Sequence, residues 1–342
     1  MTSRRQFLGL SAMGMVSLGL SGAESEAAND KTLKAPRLKK GDKVALVSPA
    51  FAAFNRNPVD IKKESLEALG LEVVLGQNFF NRYGYLAGTD EERAYDINAA
   101  FKDPSIKAVI AHSGGWGCAR ILPYLDYEQI RKNPKVVLGF SDITALLLGI
   151  HSQTGLITFH GPCPRNKVSA DYTSRLIFNG EAMHMKNPVD FGENLADSKH
   201  RTLTLHAGKA RGRLVGGNLT VLSAIVGSPY LPNLKDAILF LEDVEEQIYR
   251  VDRMLTHLKL AGLLKEIRGF VFGKCSRCGP GERYGSLTLQ DVLEDHIRPL
   301  GVPAFEGFMV GHIKNQFTLP IGAQVEVNAD QGTVSMLESP VA

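Results

Sequence analysis

The run AVIAHSGGWGCARILPYL, residues 108–125, reads as a strand that breaks into glycines and restarts as a helix, with Cys118 at the restart. A thiol on such a strand-to-helix turn has the arrangement of a nucleophile elbow. The first turn of the helix would lower its pKa and leave backbone N–H groups free for a developing oxyanion. The N–H of Ala119 is the expected first donor, with the second from the Gly114–Gly115 region. The competing reading is the commoner one for a lone cysteine, a small apolar residue filling a tight turn.

A nucleophile needs a base. In VGHIKNQFTLPIG, His312 follows an apolar strand directly, with a glycine before it and a Pro-Ile-Gly turn beyond. Glu242 ends the apolar strand in LFLEDVEEQIYRVDRML, where a carboxylate either caps the next element or orients an imidazole. His112, at the strand end before the glycines, competes as base on position alone. Ser113 lies before the glycine turn and is a poor substitute nucleophile. Asp142 in GFSDIT is expected to cap the following helix, and Arg120 to pair with a carboxylate. Gly216, Gly217 and Asn218 in VGGNL mark a tight backbone approach, and Gly217 and Asn218 are candidate substrate-cleft residues. Cys275 and Cys278 form a C-x-x-C without the partners that tetrahedral zinc needs, so a local disulfide is the simpler expectation.

These residues need a scaffold, and the chain supplies alternating strands and helices. KVALVS (43–48), LEVVLG (71–76), IKAVIAH (106–112), KVVLGF (135–140) and LITFH (156–160) are apolar runs separated by helical patterns. Thr89 and Glu92 stand in capping-box register at the head of one of those helices. The pattern predicts α/β architecture, a mainly parallel sheet covered on both faces, with ligands beyond the carboxyl ends of the strands. Residues 166–204 are polar and read as a linker, and a second unit follows over 205–342. Its last segment, AQVEVNADQGTVSML, alternates with period two and predicts a closing hairpin.

Hydrophobic content of 44% and charged content of 22% place the 342-residue chain among ordinary globular proteins of two domains. Net charge is only +3 with the two signs interspersed, which argues against a nucleic-acid partner. At the N-terminus, Arg4 and Arg5 precede a short apolar run, the pattern of a twin-arginine export signal over residues 1–28. That run is too short to span a bilayer, so a periplasmic protein without stable membrane insertion is expected after processing.

The ordered blocks GDKVALVSPA, YGYLAGTDEERAYDINAAFKDPSIKAVIAHSGGWGCARILPYLDY, NPKVVLGFSDITALLLG, TFHGP, LVGGNLTVLSAIVGSPYLP, ILFLEDVEEQIYRVDRML and GHIKNQFTLPIG resemble the LD-carboxypeptidases, peptidase family S66. The resemblance runs from about Leu38 to Leu337 and takes in the murein tetrapeptide carboxypeptidases and the microcin-immunity peptidases. It implies a flavodoxin-like parallel-sheet domain over 37–165 and a mixed β/α, swivelling-type C-terminal domain. It further implies a Ser–His–Glu triad split between the two, no metal or cofactor, a homodimer, and a murein-derived peptide as substrate. Placing the nucleophile in the Gly114–Arg120 block puts it on Cys118, with Glu242 and His312 completing a Cys–His–Glu triad. The expected reaction is removal of the terminal D-alanine from murein tetrapeptide stems. The alternatives are a cysteine amidohydrolase acting on another peptide or acyl conjugate, and a murein-peptide-binding protein without catalysis.

Overall fold

The structure is a computed structural model, and it describes residues 32–342 except 198 and 282–284. The expected export signal, residues 1–28, lies outside the described residues.

Five strands form the first sheet in parallel: β1 (Lys43–Val47), β2 (Glu72–Leu75), β3 (Ile106–Ala111), β4 (Val136–Gly139) and β5 (Thr158–His160). Their order is β5-β4-β3-β1-β2, the flavodoxin-like arrangement. All residues of β4 and β5 are buried, as expected of parallel strands covered on both faces. The connecting helices are α1 (Arg56–Glu67), α2 (Asp90–Lys102), α3 (Cys118–Ile121), α4 (Tyr127–Lys132) and α5 (Ile143–Thr154), and α6 (Lys167–Ile177) follows β5. The capping box at α2 forms as its spacing predicts, with the Glu92 N–H donating to Thr89 Oγ1 at 3.2 Å and the Thr89 N–H to Glu92 Oε2 at 2.8 Å. α5 is apolar nearly all round, which fits a helix enclosed on every side.

The second sheet is mixed. It takes β6 (His184–Lys186), β7 (Leu203–His206), β8 (Lys209–Asn218), β9 (Ile238–Val244), β10 (Gly269–Ser276) and β11 (Ala304–Glu306). After β12 (Leu319–Ile321), β13 (Gln324–Asn328) and β14 (Thr333–Met336) close it as the expected antiparallel hairpin, with Val325 opposite Met336. The helices α7 (Leu219–Ala224), α8 (Ile248–Leu260) and α9 (Leu289–His296) join its parallel strands. Residues 166–204, read from sequence as a linker, contain α6, β6 and the start of β7. Cys275 and Cys278 are joined as a disulfide beyond the end of the β10 core.

Two features bind the halves. β12, deep in the C-terminal half of the chain, joins the edge of the first sheet and pairs antiparallel with β5, Leu319 opposite His160. α5 packs on β8 and α7, and the Thr144 hydroxyl accepts the Asn218 N–H at 3.0 Å. The segment between β11 and β12, which carries His312, is thereby strung across the seam at the carboxyl edge of the first sheet.

Candidate active site

β4 ends at Gly139, and two residues later the chain turns into α5 through Ser141, whose φ of +66° lies in the left-handed region. For a serine that backbone is strained, and such strain is held where the surroundings over-determine it. The turn lifts the hydroxyl clear of both elements. Ser141 is half-buried, and its Oγ lies 2.9 Å from Nε2 of His312. On the far side of the same ring, Nδ1 lies 2.8 Å from Oε2 of Glu242, which is fully buried near the end of β9. The hydroxyl comes from one half of the chain, and the imidazole and carboxylate from the other. The Phe140 ring lies 5.0 Å from His312, and His160 lies 5.4 Å from Phe240 behind it, so the imidazole is seated among aromatic walls.

The expected pairing of Cys118 with His312 is not made. The Cys118 side chain is fully buried in the core, with Sγ 3.7 Å from the carbonyl oxygen of Pro49. Burial, reinforced by the negative charge of Asp142, pushes its thiol well above the ordinary range, so it is neither exposed nor ionised at neutral pH. α3, which it opens, is only one turn long, and its small first residue fills the tight space under the glycine loop. Ala119 travels with it into α3 and loses the oxyanion role expected around the thiol.

Gly114 lies beside the candidate nucleophile, and Gly115 follows it in the same loop. A Cβ on Gly114 would fall 2.8 Å from Cβ of Ser141 and 3.1 Å from the backbone nitrogen of Asp142, so only glycine leaves that approach open. Gly115 sits beneath the Phe51 ring, and a Cβ there would fall 2.3 Å from it. Neither the Gly115 N–H nor the Asp142 N–H has an acceptor among the described residues. The Asp142 N–H is therefore free at the N-terminal end of α5, where the helix dipole favours negative charge, and the Gly115 N–H is free in the glycine loop.

Asp142 does not cap α5 with its side chain. Instead Oδ2 accepts the Cys118 N–H at 2.8 Å, tying the glycine loop to the Ser141 turn. Burial raises its pKa, opposed by that hydrogen bond, and Oδ1 has no partner among the described residues. The loop is held from behind as well, by the fully buried Arg93, which donates to the carbonyls of Pro49 at 2.6 Å and Gly117 at 2.9 Å. Arg120 pairs with a carboxylate as expected, donating to Asp90 at 3.1 Å and 2.9 Å.

The remaining sequence candidates fall elsewhere. His112 is buried with its ring against Phe79, and its pKa is pushed down to about 4 by burial and by the charges of Lys62 and Arg165. Gly217 makes the tight approach its neighbours predict, but toward Thr144 of α5, where a Cβ would fall 2.6 Å from the threonine side chain. Asn218, expected at the cleft, is 3% exposed, and its side chain caps α7 and donates to Asp243 at 3.0 Å. Both belong to the seam between the halves. Ser141, not among the sequence candidates, is the side chain that the structure sets against Nε2 of His312. Its signal was present: an apolar strand followed within two residues by Ser-Asp and a long apolar helix.

Known proteins resemble the chain over most of its length. The family model for the LD-carboxypeptidase N-terminal domain matches residues 44–161, and that for the LD-carboxypeptidase C-terminal domain matches residues 211–327. The chain is 38% identical over 315 residues to a probable murein peptide carboxypeptidase of Bacillus subtilis, covering 90% of this chain and 95% of the relative. It is 30% identical to the murein tetrapeptide carboxypeptidase of Pseudomonas aeruginosa, covering 82% of this chain and 91% of the other. Among solved structures, the microcin C7 self-immunity protein MccF in complex with aspartyl sulfamoyl adenosine superposes with a TM-score of 0.81 at 27% identity. That match covers 91% of this chain and all of the other.

Proposed function

The chain belongs to the LD-carboxypeptidase family, and on that premise we propose that it removes the terminal D-alanine of murein tetrapeptide stems by a serine mechanism. The observation that carries this reading is the relay from Ser141 through His312 to Glu242, at 2.9 Å and 2.8 Å. The triad the family implies is then Ser–His–Glu in its usual form, with no cysteine substitution.

Each step follows from the placement of groups. Glu242 accepts the Nδ1–H of His312 and so leaves Nε2 as the base facing Ser141. Nε2 takes the hydroxyl proton as Oγ attacks the carbonyl of the scissile amide. The negative oxygen of the tetrahedral intermediate is received by the N–H groups of Asp142 and Gly115, both without protein acceptors. Collapse passes the proton from Nε2 to the leaving amine, releasing the D-amino acid and leaving an ester on Ser141. Water, deprotonated by the same imidazole, hydrolyses that ester.

We further propose, on the twin-arginine pattern at Arg4 and Arg5, that the reaction takes place in the periplasm, on murein or fragments freshly released from it. We take the working form to be a homodimer, as the family resemblance implies. Cell fractionation and sedimentation velocity test these two statements separately. The test of the activity itself is D-alanine release from a synthetic tetrapeptide stem. Release by the parent protein and none by Ser141→Ala supports the reading, and equal release by both refutes it. A second reading, hydrolysis of an aminoacyl conjugate, is favoured by the close likeness to MccF and predicts turnover of such conjugates in place of the stem peptide.

A further inference from the structure

Three neighbouring strand ends frame the candidate nucleophile. β4 leads into Ser141, β3 leads into His112 and the glycine loop, and β5 ends at His160 and leads on to Cys163 and Arg165. Across the two outer ends lies a pair of cations without counter-charges. Lys62, reaching up from α1, donates its ammonium to the carbonyl of His112. Arg165 is exposed on the segment after β5. No ion pair with either is found among the described residues, and the charged or ionisable groups that act on Lys62 are Cys163 and Arg165.

The neighbours cannot neutralise the pair. Burial pushes the Cys163 thiol up to about 11, and His112 down to about 4, so both are uncharged near neutrality. Lys62 itself is pushed down to about 8, first by burial and then by Arg165. Lys62, half-buried, and the exposed Arg165 leave positive charge at this edge without a protein counter-ion, and an anion from outside would compensate it. The one hydrogen bond that Lys62 makes leaves two of its three N–H groups for such an anion.

We infer that Lys62 and Arg165 form the subsite for the terminal carboxylate of the departing amino acid. The inference rests on the carboxypeptidase reading above and deepens it. The reach is suitable. Two residues of chain, at most about 7 Å, separate His112 from Gly114, which abuts Ser141. In a substrate, the scissile carbonyl and the terminal carboxylate are likewise only one residue apart. Exopeptidase selectivity then has a physical origin: a peptide that continues past the leaving residue offers no terminal carboxylate to these cations.

The test measures binding without turnover, by calorimetry on full-length Ser141→Ala protein. The ligands are a tetrapeptide stem with a free C-terminal carboxylate and the same peptide as its carboxamide. The acid is expected to bind at least about tenfold more tightly than the amide, the scale of one charge-assisted hydrogen bond. Adding Lys62→Met or Arg165→Gln should abolish that preference without changing the affinity for the amide, and Lys62→Arg should keep part of it. Equal affinity of the parent for acid and amide would overturn the inference. So would variants that weaken both ligands alike, and so would binding of neither. A diaminopimelate stem and a lysine stem, each with a free C-terminus, check the other carboxylate source. A Lys62→Met defect seen only with diaminopimelate would assign the subsite to that side chain instead, and refute the proposal. The reaction is scored apart from the subsite: absent D-alanine release with an intact acid preference sinks the carboxypeptidase reading and leaves the subsite standing.

Discussion

Asp142 offers the sharpest separation of catalysis from stability. Asp142→Ala removes the acceptor that holds the Cys118 N–H at 2.8 Å, and with it the tie between the glycine loop and the Ser141 turn. Two stability effects then oppose each other. An N–H left buried without a partner costs about 1–3 kcal/mol. Removing a buried carboxylate, one of whose oxygens has no partner, returns a desolvation cost of similar order. The net change in unfolding free energy is therefore expected within about 1 kcal/mol of zero, which moves the melting temperature by only a few degrees. Catalysis has no such compensation. Shifting the glycine loop by about 1 Å against the Ser141 turn is expected to lower kcat/KM about 100-fold, or about 2.7 kcal/mol of transition-state stabilisation. Asp142→Asn keeps an acceptor oxygen for the Cys118 N–H and should lie within about tenfold of the parent. Steady-state hydrolysis of the stem peptide and thermal melts, measured on the same preparations, read both quantities. An alanine variant of full activity would show that the tie is idle. An asparagine variant as impaired as alanine would show that charge, and not the acceptor, is what matters.

Cys118→Ala is expected to keep activity within about threefold and to melt a few degrees lower, because it deletes only a small buried group worth about 1 kcal/mol. Iodoacetamide at neutral pH should leave the native protein unlabelled at Cys118 and Cys163, both buried, and mass spectrometry after denaturation should find them alkylated only if the reagent is present during unfolding. Glu242→Gln, which offers the wrong polarity to Nδ1 of His312, should lower kcat by about 100- to 10,000-fold with KM little changed, as stopped or steady-state assays of D-alanine release would show. Gly217→Ala forces a methyl into Thr144 across the seam, so activity should fall together with the melting temperature, and Gly217→Ala/Thr144→Ser should recover part of both.

Much of the scaffold was legible because it is written in local patterns. Continuous apolar runs marked β1, β3, β4 and β5, Thr89 and Glu92 marked the start of α2, and period-two alternation marked the closing hairpin. Glu242 and His312 were legible for a related reason: each is a polar residue stranded at the end of an apolar run, where the only use for it is at a site or a cap. Ser141 was harder to read. Glycines advertise the turn at Cys118, whereas the left-handed backbone of Ser141 is carried by a serine and leaves no mark in composition. The second strand-to-helix turn, one strand over, is marked only by an apolar strand followed by Ser-Asp and an apolar helix, a weaker signal than a run of glycines. The crossing of β12 into the first sheet was equally hidden, since Leu319–Ile321 is too short to carry a strand signal and its partner β5 lies far back along the chain.

The identity of the nucleophile is the claim on which the mechanism stands, and an active-site organophosphonate tests it directly. After the native protein reacts with a fluorophosphonate, tryptic mass spectrometry should place one adduct on Ser141, and Ser141→Ala should take up none while Cys118→Ala labels like the parent. An adduct on Cys118, or undiminished labelling of the Ser141→Ala protein, would contradict the account.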